Sequence, residues 1–83
     1  MTYEPFSKVA LKVDLPSHKL QKGDVATIVE IHPGKPGQEM GYSLEVFNAV
    51  GETLIVVTVS QSQIEPLTNK EVLHVRRLDE VSA

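Results

Sequence analysis

In residues 9–15, VALKVDL, an apolar side chain returns at every second position. No other feature of the chain narrows its fold as much. Val9, Leu11, Val13 and Leu15 fall on one face, with Ala10, Lys12 and Asp14 on the other. A period of two places successive side chains on opposite sides of a pleated backbone, so residues 6–15 read as a half-buried strand. Pro16, which has no amide to give to a ladder, ends it. Residues 24–32, DVATIVEIH, form a second strand rich in Val, Ile and Thr. Its apolar residues occupy both faces: Val25, Val29 and Ile31 on one, Ala26 and Ile28 on the other. A strand covered on both sides is central or sharply bent. Gly23, just before it, predicts a positive-φ bend.

Residues 33–41, PGKPGQEMG, are a loop on composition. Residues 42–48 alternate again, Tyr42, Leu44 and Val46 against Ser43, Glu45 and Phe47. The NAVGE stretch closes a hairpin with Gly51 at the position that needs φ > 0. Residues 53–59, TLIVVTV, are the most strand-like run and are apolar on both faces. SQSQIEPL follows as a short turn or 3-10 segment, with Ile64 and Leu67 directed to the core. In the tail, Thr68 and Glu71 have the spacing of a capping box, which would start a helix. The β-branched content of residues 72–78 favours a strand, so 70–79 is a strand or a short helix, the strand preferred.

The order of these elements predicts an all-β fold: an SH3-like small β-barrel of five to six strands with one short 3-10 turn. The whole chain, 1–83, forms one domain with its core in 6–67. In such a barrel the first two strands lie in different parts of a bent sheet, and a long loop must join them where a two-residue turn would force direct pairing. Residues 15–22 supply that loop, and Leu20, its one large apolar residue after the strand ends, tucks beneath it. At 83 residues the fold buries roughly 60–65% of the unfolded surface, enough for one small core. Cysteine is absent, so no disulfide or thiolate zinc site staples that core.

VALKVDLPSHKLQKGDVATIVEI, followed by YSLEVFNAVGETLIVVTVSQSQIEPL, resembles a family of small uncharacterised bacterial domains. Their pattern runs from a strand ending in D-L-P through K-G-D-x-G-T-[IV]-V-E and Y-x-[VL]-E-F to a T-[LI]-x-x-V-T-[LV] strand. The likeness covers residues 9–67, and EVLHVRRL is similar to the usual close of such chains. Ala26 stands where the family has a second glycine, and Val46-Phe47 replaces Glu-Phe beside Glu45. The resemblance implies an SH3-like barrel and brings no catalytic residues with it. Barrels of this kind serve as protein-docking modules, RNA-contacting domains, accessory subunits and neutralising partners of toxins, an analogy of fold alone.

The residues offer little catalytic chemistry. His18, His32 and His74 lack the i, i+2 or i, i+4 spacing that brings ligands together, so no metal site is expected. No G-x-S-x-G turn holds a serine. GKPG around Lys35 lacks the spacing of a phosphate loop, and Pro36 removes a needed amide. A chain of this size leaves little room for a pocket of roughly 300 Å³ or more beside a core. The protein is therefore expected not to be an enzyme and to need no cofactor. Phe47, Leu54, Val56 and Ile28 are surplus apolar residues; a bent sheet makes several of them core, and exposed they would form a patch for a partner. Arg76-Arg77 with His74 is a basic cluster, read first as a solvated edge and second as a dock for carboxylate or phosphate.

A net charge of −3 weighs against general nucleic-acid binding. The expected role is a non-catalytic interaction module for a protein partner, as an accessory subunit or toxin-neutralising partner, acting through loops 15–22 and 32–40. The alternative is an RNA- or DNA-contacting barrel using Lys19, Lys22, Lys35 and Tyr42. Candidate contact residues across both readings are His18, Lys19, Lys22, His32, Lys35, Tyr42, Arg76 and Arg77. With no apolar run near the roughly 20 residues a bilayer needs, and no signal-like N-terminus, a soluble cytoplasmic chain is expected, monomeric or weakly dimeric along strand edges.

Overall fold

The structure, a computed structural model, describes residues 3–78. Five antiparallel strands form one sheet: β1 (Lys8–Leu11), β2 (Val25–His32), β3 (Gly41–Phe47), β4 (Thr53–Ser60) and β5 (Ile64–Pro66). Their order is β4-β3-β2-β1-β5. β1 to β4 follow one another as a meander, so β1 and β2 pair directly, Val9 with Ala26, although the sequence predicts them in different parts of the sheet. β5 returns to the far side of β1, pairing Val9 with Pro66 and Leu11 with Ile64. The fold is all-β and barrel-like, with no α-helix among the described residues. Two 3-10 turns are present, Pro16–His18 and Gln61–Gln63, where the sequence predicts one.

Two irregularities let a single sheet wrap a core. In β2 the register shifts between Ile28 and Glu30. The extra residue, Val29, lets both Ile28 and Ile31 turn inward although they differ in parity, and increases the local twist. Ile28 is fully buried opposite Leu44, and Ile31 packs against the core opposite Tyr42. A second shift, between Val46 and Phe47, lies against β4 at Leu54. The core combines Val9, Leu11, Leu20, Ala26, Ile28, Tyr42, Leu44, Val46, Val57, Val59 and Ile64. Of the surplus apolar residues only Ile28 is core; Phe47, Leu54 and Val56 stay exposed, because β4 ends the sheet and nothing among the described residues covers its outer face.

The first strand is shorter than its alternation predicts. After Leu11 the chain leaves the ladder, Val13 is exposed and Leu15 is half-buried. What stops the strand is the loop itself. Leu15 and Leu20 exchange both backbone hydrogen bonds, at 2.9 and 3.2 Å, closing the Pro16–His18 turn, and Asp14 Oδ1 accepts the Lys22 N–H at 2.8 Å. Leu20 is buried beneath this loop. Gly23, at φ 96°, bends the chain into β2, its N–H reaching Leu11 O at 2.9 Å. The β3–β4 hairpin is held by Asn48, whose Oδ1 accepts the N–H groups of Val50 and Glu52, with Gly51 at φ 90°.

The tail is neither the strand nor the helix that the sequence predicts for 70–79; residues 71–77 are irregular, and 79 lies outside the described residues. The capping interactions of Thr68 and Glu71 do form, Glu71 accepting the Thr68 N–H and Thr68 Oγ1 accepting the Lys70 N–H. The hydrogen bond from Thr68 holds the Glu71 carboxyl below its ordinary pKa. These bonds close one turn only. A helix needs a packed face to repay its costly first turn, and Val72, Leu73 and Val75 pack on nothing among the described residues. The tail is instead fastened by Arg76, whose guanidinium pairs with the Asp24 carboxylate and donates to Lys19 O at 3.1 Å, and by Leu78 against the core.

The burial pattern sets a clear expectation for truncation. Ile28→Ala, in the core, should cost about 2–5 kcal/mol in denaturant unfolding. Val56→Ala, on the exposed side of β4, should stay within about 0.5 kcal/mol. Equal costs at the two positions would contradict the assigned faces.

Candidate interaction groove

The site begins with Tyr42. At the start of β3 its ring lies wholly in the core, so its hydroxyl needs partners there. It accepts the Tyr3 N–H at 3.3 Å and reaches Gln61 Oε1 at 3.4 Å and Met40 Sδ at 3.8 Å. The Tyr3 ring meets Tyr42 edge-on, centroids 5.5 Å apart and planes at 86°, a favourable quadrupole geometry. Tyr3 in turn directs its hydroxyl at Ile64 O, 3.5 Å away. Burial, with Tyr42 and Glu65 nearby, raises the Tyr3 phenol pKa. One buried hydroxyl thus positions the chain before β1, the end of the 33–40 loop and the turn after β4.

Carboxylate and amide side chains then fix the other wall. Glu39 accepts from Ser62 twice, from N–H at 2.8 Å and from the hydroxyl at 3.1 Å. Gln61 N–H donates to Met40 O at 2.9 Å. Ser60 and Gln63 cap the Gln61–Gln63 turn reciprocally, Gln63 Oε1 taking the Ser60 N–H at 2.8 Å. Between this turn, β5 and the loop lies a groove of about 580 Å³, open to solvent. Its lining combines apolar Met40, Ile64 and Pro66 and the Tyr3 ring with polar Lys12, Gln38, Glu39 and Glu65. This corrects the expectation that a chain of this size leaves little room for a pocket of roughly 300 Å³ or more beside its core: the groove lies on the surface, open to solvent.

The candidate contact residues separate into four places. His18, Lys19, Lys22 and Arg76 belong to the 15–22 loop and the strap that crosses it. Acids are interleaved among them: Asp14 binds the Lys22 amide, and Asp24 binds both the Gln21 amide and Arg76, raising the Arg76 pKa by that hydrogen bond. His18 Nδ1 sits 3.2 Å from Ser17 Oγ. Lys35, on the 33–40 loop, and Arg77, on the strap, are exposed. Tyr42 offers no stacking surface, being core. Its parity with Leu44 and Val46 was the signal for that.

His32 lies on the outer face of the sheet, its Nε2 2.7 Å from Ser43 Oγ, which is 3.3 Å from Thr58 Oγ1. This polar row crosses β2, β3 and β4. A serine–histidine relay sets its acid on the ring nitrogen opposite the serine. Here Glu30 Oε1, 3.9 Å away, approaches the same Nε2. No group of three His, Cys, Asp or Glu side chains among the described residues is arranged to hold a metal ion, and no helix there is long and apolar enough to cross a membrane.

The family model described as "Domain of unknown function (DUF4926)" matches residues 6–66. The chain belongs to this family. The DUF4926 match takes in all five strands and both 3-10 turns and ends at Pro66, the last residue of β5. The groove's loop, turn and β5 walls are therefore family territory, while Tyr3 and the Arg76 strap lie outside the matched residues. No curated protein and no solved structure matches the chain. The groove residues Tyr3, Lys12, Glu39, Met40 and Ile64 have no motif in the sequence, because they converge only when β5 returns to β1.

Tyr42→Phe isolates the role of the hydroxyl. Removing it leaves the Tyr3 amide and Gln61 without that partner, so unfolding should become easier by about 0.5–1.5 kcal/mol. The Tyr3 ring resonances should shift in the same variant while those of Val57 and Val59 hold. An unchanged Tyr3 environment would contradict the arrangement.

Proposed function

We propose that this domain is a non-catalytic interaction module, an SH3-like barrel that takes a segment of a protein partner into the groove beside β5. The strand order β4-β3-β2-β1-β5 with a 3-10 turn between β4 and β5 supports the SH3-like reading. The observation that carries the function is the groove itself: a lining of Tyr3, Met40, Ile64 and Pro66 with Lys12 and Glu65, open to solvent, and a wall fixed by the hydrogen bonds of Glu39 with Ser62. A preformed groove lowers the ordering cost that binding would otherwise meet. Mixed charge in the lining suits a polypeptide carrying both signs better than a polyanion. An accessory subunit and a toxin-neutralising partner are both roles of this type.

Nucleic acid is the weaker reading. Its contacts would fall on His18, Lys19 and Lys22, where Asp14 and Asp24 stand among the cations and Arg76 is already paired. The chain's net charge of −3 works against phosphate at longer range.

The test is affinity capture from nuclease-treated host lysate, comparing wild type with Met40→Glu and Lys12→Glu, both in the groove lining. Retention of specific proteins should fall about tenfold or more for Met40→Glu, as for a central contact, and less for Lys12→Glu. Retention unaffected by both substitutions, or capture that vanishes with nuclease, would overturn the proposal.

A further inference from the structure

The two edges of the sheet differ. β5 is three residues long, carries Glu65 and ends in Pro66, features that discourage another strand from pairing with it. β4 has eight residues, TLIVVTVS, with neither charge nor proline, in a chain of which 23% is charged. One side of β4 pairs with β3, and no strand among the described residues pairs with the other.

The register shows which peptide groups that free edge presents. Gln61 N–H donates to Met40 O, in line with the β3–β4 pairs Tyr42–Val59, Leu44–Val57 and Val46–Ile55. In an antiparallel ladder the peptide groups of alternate residues face alternate neighbours, so Val59, Val57 and Ile55 turn theirs to β3. Ser60, Thr58 and Val56 turn theirs outward. The Ser60 N–H is already taken by Gln63 Oε1, and the bulge breaks the alternation at Leu54. Val56 and Thr58 remain, each with one outward donor and one outward acceptor, and their side chains are exposed as well.

We infer that this edge pairs with the same edge of a second copy, in an antiparallel two-fold arrangement about Val57. Val56 of each copy then stands opposite Thr58 of the other, and the two reciprocal pairs form four main-chain hydrogen bonds. A second copy is the occupant that fits because the strip is self-complementary: both residues of each pair are β-branched, and no charge faces another across the axis. The alternative register, centred on Val56, would depend on Leu54, where the bulge lies. Contact this short falls below the ~1,200 Å² of ordinary stable interfaces, which makes the dimer weak, with a Kd on the order of 100 µM. None of residues 54–58 lines the groove beside β5, so each copy keeps its own.

Sedimentation or light scattering across concentrations from about 10 µM to 1 mM tests this. The wild-type mass should climb toward twice the monomer value, and Val56→Lys, which sets two cations near the axis, should stay monomeric. Thr58→Glu alone should also stay monomeric, and mixing the two variants should restore dimer through a Lys–Glu pair. Amide exchange at Val56 and Thr58 should slow severalfold with wild-type concentration. A wild type that stays monomeric at the highest concentration, a Val56→Lys variant that dimerises like wild type, or a mixture that dimerises no more than its components would overturn the inference.

Discussion

A single five-stranded sheet has to supply both sides of its own core, and this requirement shapes the rest of the molecule. Among the described residues there is no helix to cover a face, and the chain has no cysteine to fasten one. The sheet must bend until its inner side chains meet. The bulge at Val29 turns Ile28 and Ile31 inward together, the shift at Leu54 lets β3 and β4 twist, and β5 pairs with β1. Contrary to what the sequence predicts, the long first loop does not keep β1 and β2 apart; the two strands pair directly, Val9 with Ala26 and Ala10 with Val25. Residues 15–22 join these two strands, and their internal Leu15–Leu20 bridge holds Leu20 in the core.

The surface obeys the same requirement. Because the interior is taken up by packing, the groove forms outside it, where the 33–40 loop, the Gln61–Gln63 turn and β5 meet. Its walls are tied to the core through the Tyr42 hydroxyl and braced by Glu39 on Ser62. The sheet also ends somewhere, and its two ends are unequal: β5 is short and proline-terminated, while β4 is long, uncharged and free on one side among the described residues. Groove and edge both follow from bending one open sheet around its core.

Much of the fold was legible in the sequence because period two and Gly/Pro punctuation are local signals. They located β2, β3 and β4 to within a residue or two, the bend at Gly23 and the buried Leu20. Four features were not local. β1 stops at Leu11 although the alternation runs to Leu15, since Lys12 N–H turns to Gln63 O and the loop's own hydrogen bonds hold Asp14 and Leu15. A bulge is invisible until the partner strand is known, so parity alone puts Ile28 on the wrong face. Thr68 and Glu71 made their local bonds, yet with no surface to bury, Val72, Leu73 and Val75 formed neither helix nor strand. The groove drew on residues 3 to 66, a separation that no motif spans. Of the basic candidates, Arg76 proved to be a structural tie to Asp24, an ion pair between positions 52 residues apart.

The account stands or falls on the return of β5 to β1, which brings the walls of the groove together. Solution NMR observes it directly. Cross-strand backbone contacts should appear for Val9–Pro66, Ala10–Glu65 and Leu11–Ile64, and the amides of Leu11, Ile28 and Leu44 should exchange together through one global opening. Absence of those contacts, with residues 64–66 exchanging freely while β2, β3 and β4 stay protected, would show an open meander and contradict the account.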